Sequence, residues 1–141
     1  MVMRGAITCV IAVIVSAGLL GCGHPSGKLV GSWEMVIPSG TSTERFAGDP
    51  PVGEPPVKIL TETHFAFGCM GPDGIMYAGG GRYTLDGDTY TETIAYHFNP
   101  KLAGRTLSFT CRLDGDRWHH SGIFEIDGER FNIEEIWRRI R

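Results

Sequence analysis

Five turn signals divide the second half of this chain at almost even intervals, and they constrain the fold more than any other feature. They are Asp73-Gly74, Asp86-Gly87, Asn99-Pro100, Asp114-Gly115 and Asp127-Gly128, spaced 13, 13, 15 and 13 residues apart. Asp and Gly tolerate the positive φ of a tight hairpin turn, so Asp-Gly between alternating runs marks a hairpin. A series of such turns predicts an antiparallel up-and-down meander. The strands between the turns share no motif, which excludes a solenoid repeat.

The runs between the turns alternate with period 2. Tyr90, Glu92, Ile94, Tyr96 and Phe98 fall on one face, against Thr89, Thr91, Thr93, Ala95 and His97 on the other. Leu107, Phe109, Cys111 and Leu113 share a face, as do Trp118, His120, Gly122, Phe124 and Ile126. Phe131, Ile133, Glu135 and Trp137 form the last such series. Upstream, Trp33, Met35 and Ile37 go together, then Ile59, Phe65 and Phe67, then Ile75, Tyr77, Tyr83 and Leu85. One buried and one solvated face is what an antiparallel sheet requires. The buried face collects every aromatic residue except Phe46. Thirteen rings at about 150–250 Å² each need a closed container, and a meander closing into a barrel supplies one while removing its own edges. The expected fold is therefore all-β, a barrel of 7–8 strands.

Two segments depart from the alternation. Pro38–Pro56 carries five Pro and three Gly, cannot be helical through its middle, and is a candidate lid over one barrel mouth. Gly79-Gly80-Gly81 lies inside a strand pattern and predicts a bend or bulge. Asn99–Gly104 has the cap residues of one helical turn.

The N-terminal region has another character. Arg4 precedes a 15-residue apolar run, Ala6–Leu20, of secretory length and too short for a comfortable transmembrane helix. The run ends in Leu19-Leu20-Gly21-Cys22, which resembles a bacterial lipobox. That resemblance implies cleavage before Cys22 and a diacylglycerol on its sulfur. Residues 1–21 then form a signal peptide, 22–28 a tether and 29–141 the barrel. The implied localisation is the bacterial cell envelope, lipid-anchored. Gly23 after the cysteine points to the outer membrane facing the periplasm. The mature chain carries 12 bases and 16 acids, a net −4. This acidic balance without a basic cluster argues against nucleic acid.

Leu29-Val30-Gly31-Ser32-Trp33-Glu34 resembles the Gly-x-Trp start of lipocalins and their barrel relatives. In that family the Trp closes one barrel end beneath an Arg near the C-terminus. Gly31, Trp33 and Arg138, or Arg139, are the matching residues. A closer resemblance is to small bacterial lipocalin-like domains. It rests on Lys58–Phe65, Gly79–Asp88 and Glu135-Ile136-Trp137-Arg138, and covers nearly all of residues 28–140. The alternation yields seven strands, one short of a lipocalin. The Trp33–Arg138 latch needs an eighth, expected near the triple glycine or in the Pro-rich segment.

Polar residues on the inner face carry the functional expectation, because burying them costs free energy unless they are paired. They are Glu92, His120 and Glu135, with Tyr90 and Tyr96 beside Glu92. They could anchor a small apolar or aromatic ligand in the barrel. They could equally satisfy one another: Glu92 or Glu135 with Arg139, His120 with a Tyr hydroxyl. In the second case the barrel is filled, and its loops bind another envelope protein as inhibitor or scaffold. No nucleophile motif appears, so no enzyme activity is expected. His119 and His120 point to opposite faces of one strand and no ligand spacing recurs, so no metal and no other cofactor is expected. Cys69 and Cys111 lie near turns at opposite barrel ends and are expected not to bridge.

The lipobox makes a direct prediction. Cys22→Ala should release the protein from the membrane fraction or block its maturation. Fractionation with immunoblotting checks this, and unchanged membrane association with normal cleavage counts against lipidation.

Overall fold

The computed structural model describes residues 25–37 and 55–141. The segment expected to be a signal peptide, Cys22 and all of the Pro-rich segment except Pro55-Pro56 lie outside these residues. A 3-10 turn, Pro25–Lys28, leads into eight strands. They are β1 (Gly31–Ile37), β2 (Val57–Leu60), β3 (His64–Gly71), β4 (Gly74–Asp86), β5 (Thr89–His97), β6 (Thr106–Asp114), β7 (Arg117–Ile126) and β8 (Glu129–Arg139). Every neighbour is consecutive and antiparallel, and β1 pairs with β8, so the meander closes into a barrel. The Asp-Gly positions form its turns. At the β7–β8 turn Asp127 and Gly128 both adopt positive φ, 53° and 83°, as a type I′ turn demands.

The eighth strand lies in neither of the expected places. The run expected as one strand from Ile59 to Phe67 is two, β2 and β3, joined at Thr61–Thr63. A side chain makes this turn without Gly, Pro or Asn. Thr61 Oγ1 accepts from the amides of Thr63 and His64 at 3.4 and 3.1 Å, and Thr61 N donates to His64 O at 2.9 Å. An even strand count brings the N- and C-terminal strands together at one barrel end.

That end is closed by Trp33 and Arg139. The Arg139 guanidinium lies 4.1 Å from the Trp33 ring centroid and donates to Val30 O and Lys28 O, each at 2.7 Å. The Trp33 indole N–H donates to Leu29 O at 2.9 Å. Gly31 has φ 135°, and a Cβ there would come within 2.8 Å of Arg139 Nη1, so the glycine makes room for the guanidinium. Arg138 does not serve this role. It sits one residue past the buried Trp137, alternation turns it outward, and it donates to Glu34 at 2.8 Å.

A second correction concerns β5. Tyr90, Glu92 and Ile94 are buried, but Tyr96 is 54% exposed and Phe98 38%. Opposite Ala95 the β4–β5 register shifts between Gly80 and Gly81. A Cβ at Gly81 would stand 2.1 Å from Thr93 O, so only glycine admits the bulge. One extra residue inverts the alternation, sending Tyr96 out and His97 in. Ile59 and Ile75 also face out, 53% and 74% exposed, and Lys58 takes the inner position beside Leu60. Asn99–Gly104 forms turns rather than a helix, with Asn99 Oδ1 accepting from Lys101 N at 3.0 Å.

Cys69 and Cys111 are free. The added strand precedes Cys69, so Cys69 stays near the open end and Cys111 near the closed end. Trp33, Trp118, Trp137 and Tyr90 pack together above the Trp33–Arg139 seal as the largest fully buried side chains. Trp33 meets Trp118 edge-on at 5.7 Å. Removing Trp33 would open a cavity between the seal and this cluster. Trp33→Ala should cost about 3–5 kcal/mol in chemical denaturation; a loss below about 1 kcal/mol would place Trp33 outside the closing layer.

Candidate functional site

Above the tryptophan layer the barrel interior turns polar. Lys58 on β2 is 4% exposed, Glu92 on β5 6% and His120 on β7 3%. Lys58 Nζ donates to Glu92 Oε1 at 3.1 Å. The ammonium also has five aromatic rings around it: Phe65, Phe67, Tyr90, Trp118 and Trp137, with centroids at 5.1–5.8 Å. Ring faces attract cations, and the attraction grows where water is excluded. The rings and Glu92 together replace the hydration that burial removes.

Glu135 on β8 is the third charged residue here. Trp137 Nε1 donates to its Oε2 at 2.8 Å. No cation lies within salt-bridge distance of it among the described residues. Desolvation raises its pKa, and the Glu92 charge adds to the rise against the opposing pull of Lys58 and Trp137. His120 pairs with Glu135 across the β7–β8 ladder. Burial, then Lys58, hold its pKa well below the ordinary imidazole range, so it is neutral. Its Nδ1 is buried without a hydrogen-bond partner. Tyr90 stands beside Glu92, and its buried hydroxyl is outside hydrogen-bonding geometry. Burial and then Glu92 hold its phenol well above its usual range.

Lys58, Glu92, His120 and Glu135 floor a cavity of about 60 Å³, lined near the mouth by Phe67, Tyr77, His97 and Phe124. Burial lowers the His97 pKa to about 4, so this imidazole is neutral at pH 7. Among the described residues no group of three or more His, Cys, Asp or Glu is placed to hold a metal ion.

Of the residues singled out in the sequence, Tyr90, Glu92, His120 and Glu135 come together in the lumen, while Tyr96 lies on the outer surface. The self-satisfying network takes a different form from the one expected, because Glu92 pairs with Lys58 instead of Arg139. Arg139 is at the closed end, engaged with Trp33. Lys58 and His97 were not anticipated. Lys58 had a signal: it alternates with Leu60 opposite Phe65 and Phe67, and an inner Glu92 calls for a cation. His97 could be found only by locating the bulge.

The family model described as Domain of unknown function (DUF4488) matches residues 28–141, and the chain belongs to that family. Comparison with curated proteins and with solved structures finds no match.

Breaking the Lys58–Glu92 pair tests the energetics of the lumen. Lys58→Met leaves the buried Glu92 carboxylate without its cation and should cost about 3–5 kcal/mol. Lys58→Met with Glu92→Gln should recover at least half of that loss in urea denaturation at pH 7. Additive losses would show that the two residues are not coupled.

Proposed function

We propose that this member of the DUF4488 family is a small-ligand receptor of the bacterial envelope, a lipocalin-like barrel anchored through a lipidated Cys22. The observation that carries the reading is the cavity, which is lined by the ionisable groups Lys58, Glu92, His120 and Glu135 among apolar side chains.

The volume limits the ligand. Pockets that engulf a drug-sized molecule hold about 300–1,000 Å³. About 60 Å³ is the space of roughly two waters, so it admits a head group of a few heavy atoms. The body of the ligand then rests at the mouth against Tyr77, His97 and Phe124. A small aromatic or apolar molecule with a polar head meets both demands.

A second reading has its own observation. Met70, Ile75 and Phe98 are exposed apolar residues at the open end, 60%, 74% and 38% accessible. Such residues suit an envelope protein docking across the mouth, with the lumen serving as packing. Native mass spectrometry of the full-length protein, extracted from its host in mild detergent, separates the two. The receptor reading expects a small molecule released by acid. A mass explained by polypeptide and acyl chains alone overturns it, and a stoichiometric protein adduct supports the second reading.

A further inference from the structure

We propose that the lumen selects a ligand whose head carries one positive charge, an organic ammonium that pairs with Glu135. The inference rests on the receptor reading and names the ligand class of the same cavity.

Charge balance inside the barrel is the first argument. The described groups facing Glu135 are Lys58 on β2, Tyr77 on β4, Glu92 and His97 on β5, and His120 on β7. Residues of β3 and β6 that line the cavity are apolar: Phe67, Leu107 and Phe109. Both imidazoles are neutral at pH 7. Lys58 and Glu92 cancel at 3.1 Å. Glu135 is left over, so the ionised lumen carries one uncompensated negative charge. Glu135 is half-buried, so its charge is only partly solvated, and a proton on it or a cation beside it relieves that cost.

The second argument is that the barrel already shows how it holds an ammonium. Lys58 sits among five rings with one carboxylate. The cavity offers a ligand the same elements: the Glu135 carboxylate and the rings of Phe67, Tyr77 and Trp137. Phe67 and Tyr77 lie 5.2 Å apart, and Phe67 and His97 5.6 Å. The third argument is acceptor supply. A primary ammonium brings three donors and no acceptor. The cavity lining supplies the carboxylate of Glu135, whose Oε2 accepts from Trp137 Nε1 and which has no cation within salt-bridge distance among the described residues. An anionic head would meet Glu92 and Glu135 at close range with the only buried ammonium already paired.

A proton and the ligand therefore compete for Glu135. Burial raises the pKa of this carboxyl above the ordinary carboxylate range, so the empty barrel takes up a proton there more readily than a solvated glutamate would. A cation displaces that proton, so affinity rises with pH until Glu135 is ionised in the free protein, then levels off.

Three probes of similar size test this on the full-length protein: benzylammonium, benzyl alcohol and benzoate, titrated calorimetrically and by intrinsic tryptophan fluorescence. Benzylammonium should bind at least tenfold more tightly than benzyl alcohol, and benzoate more weakly than both. Glu135→Gln keeps an oxygen for Trp137 Nε1 and should bring the ammonium-to-alcohol ratio to about one. Below the Glu135 pKa the wild-type advantage should fall about tenfold per pH unit. Equal or tighter binding of the alcohol or benzoate overturns the charge selection and leaves the receptor reading standing. So does a molecule that co-purifies from the host without a cationic nitrogen. Failure of all three probes at millimolar concentration, with no co-purified molecule, overturns both.

Discussion

A lysine ammonium buried at the centre of the barrel is the constraint around which the rest of the lumen is arranged. Removing such a charge from water costs several kcal/mol even after relaxation. The fold offsets this from two directions. Glu92 reaches Nζ at 3.1 Å from β5. Five rings from β3, β5, β7 and β8 close round the remaining solid angle. Few other residues could take those ring positions without leaving the ammonium short of partners. The concentration of aromatics on the inner face therefore solvates a cation as well as filling a core. It also sets what remains available for chemistry, since with Lys58 committed to Glu92 the carboxylate of Glu135 has no cation of its own.

The mouth of the cavity depends on a backbone feature. Gly81 lets β4 approach Thr93 O too closely for any Cβ, and the resulting bulge adds Ala95 to β5. From that residue outward the side chains trade faces. His97 turns in to stack against Phe98 at 4.5 Å and meet the edge of Phe67, while Tyr96 turns out. Without the bulge, Tyr96 would point into the barrel and occupy the upper cavity. Gly79 extends the effect inside the barrel, because a Cβ there would strike Phe67, while Gly80 makes room for the Tyr96 ring on the outer face.

The meander, its closure and four of the five lumen candidates were legible because they follow from local rules. Asp-Gly places the turns, and period-2 alternation places the faces. What was missed follows from non-local causes. Thr61–Thr63 turns the chain with a side-chain oxygen and carries no composition signal, so two strands read as one. That miscount also obscured which Arg seals Trp33, although alternation past Trp137 selects Arg139. Tyr96 was assigned inward because a bulge is invisible to strict alternation, even though the glycines marked its place. Lys58 was overlooked because lysine on a strand ordinarily faces water. Only the partner across the barrel, 34 residues away, reverses that expectation.

The two ends of the barrel are unlike, and this gives the proposed function a direction. The described chain begins at Pro25, and Arg139 fixes Lys28 O to the closed end at 2.7 Å. Cys22, the proposed anchor, precedes Pro25 by three residues, which span at most about 10 Å. The sealed Trp33–Arg139 end is then the one nearest the bilayer. The eight residues of β3 extend about 27 Å. With the strand tilt of a closed barrel that becomes about 20 Å along the axis, so the mouth opens well clear of the lipid surface. On the proposed anchoring, a ligand would arrive from water and not from the membrane. A charged head is then an advantage, because a molecule that partitions into lipid would be scarce on the side where this barrel opens. The small cavity, the uncompensated Glu135 and the placement of the seal all favour capture of a water-borne cation by its head.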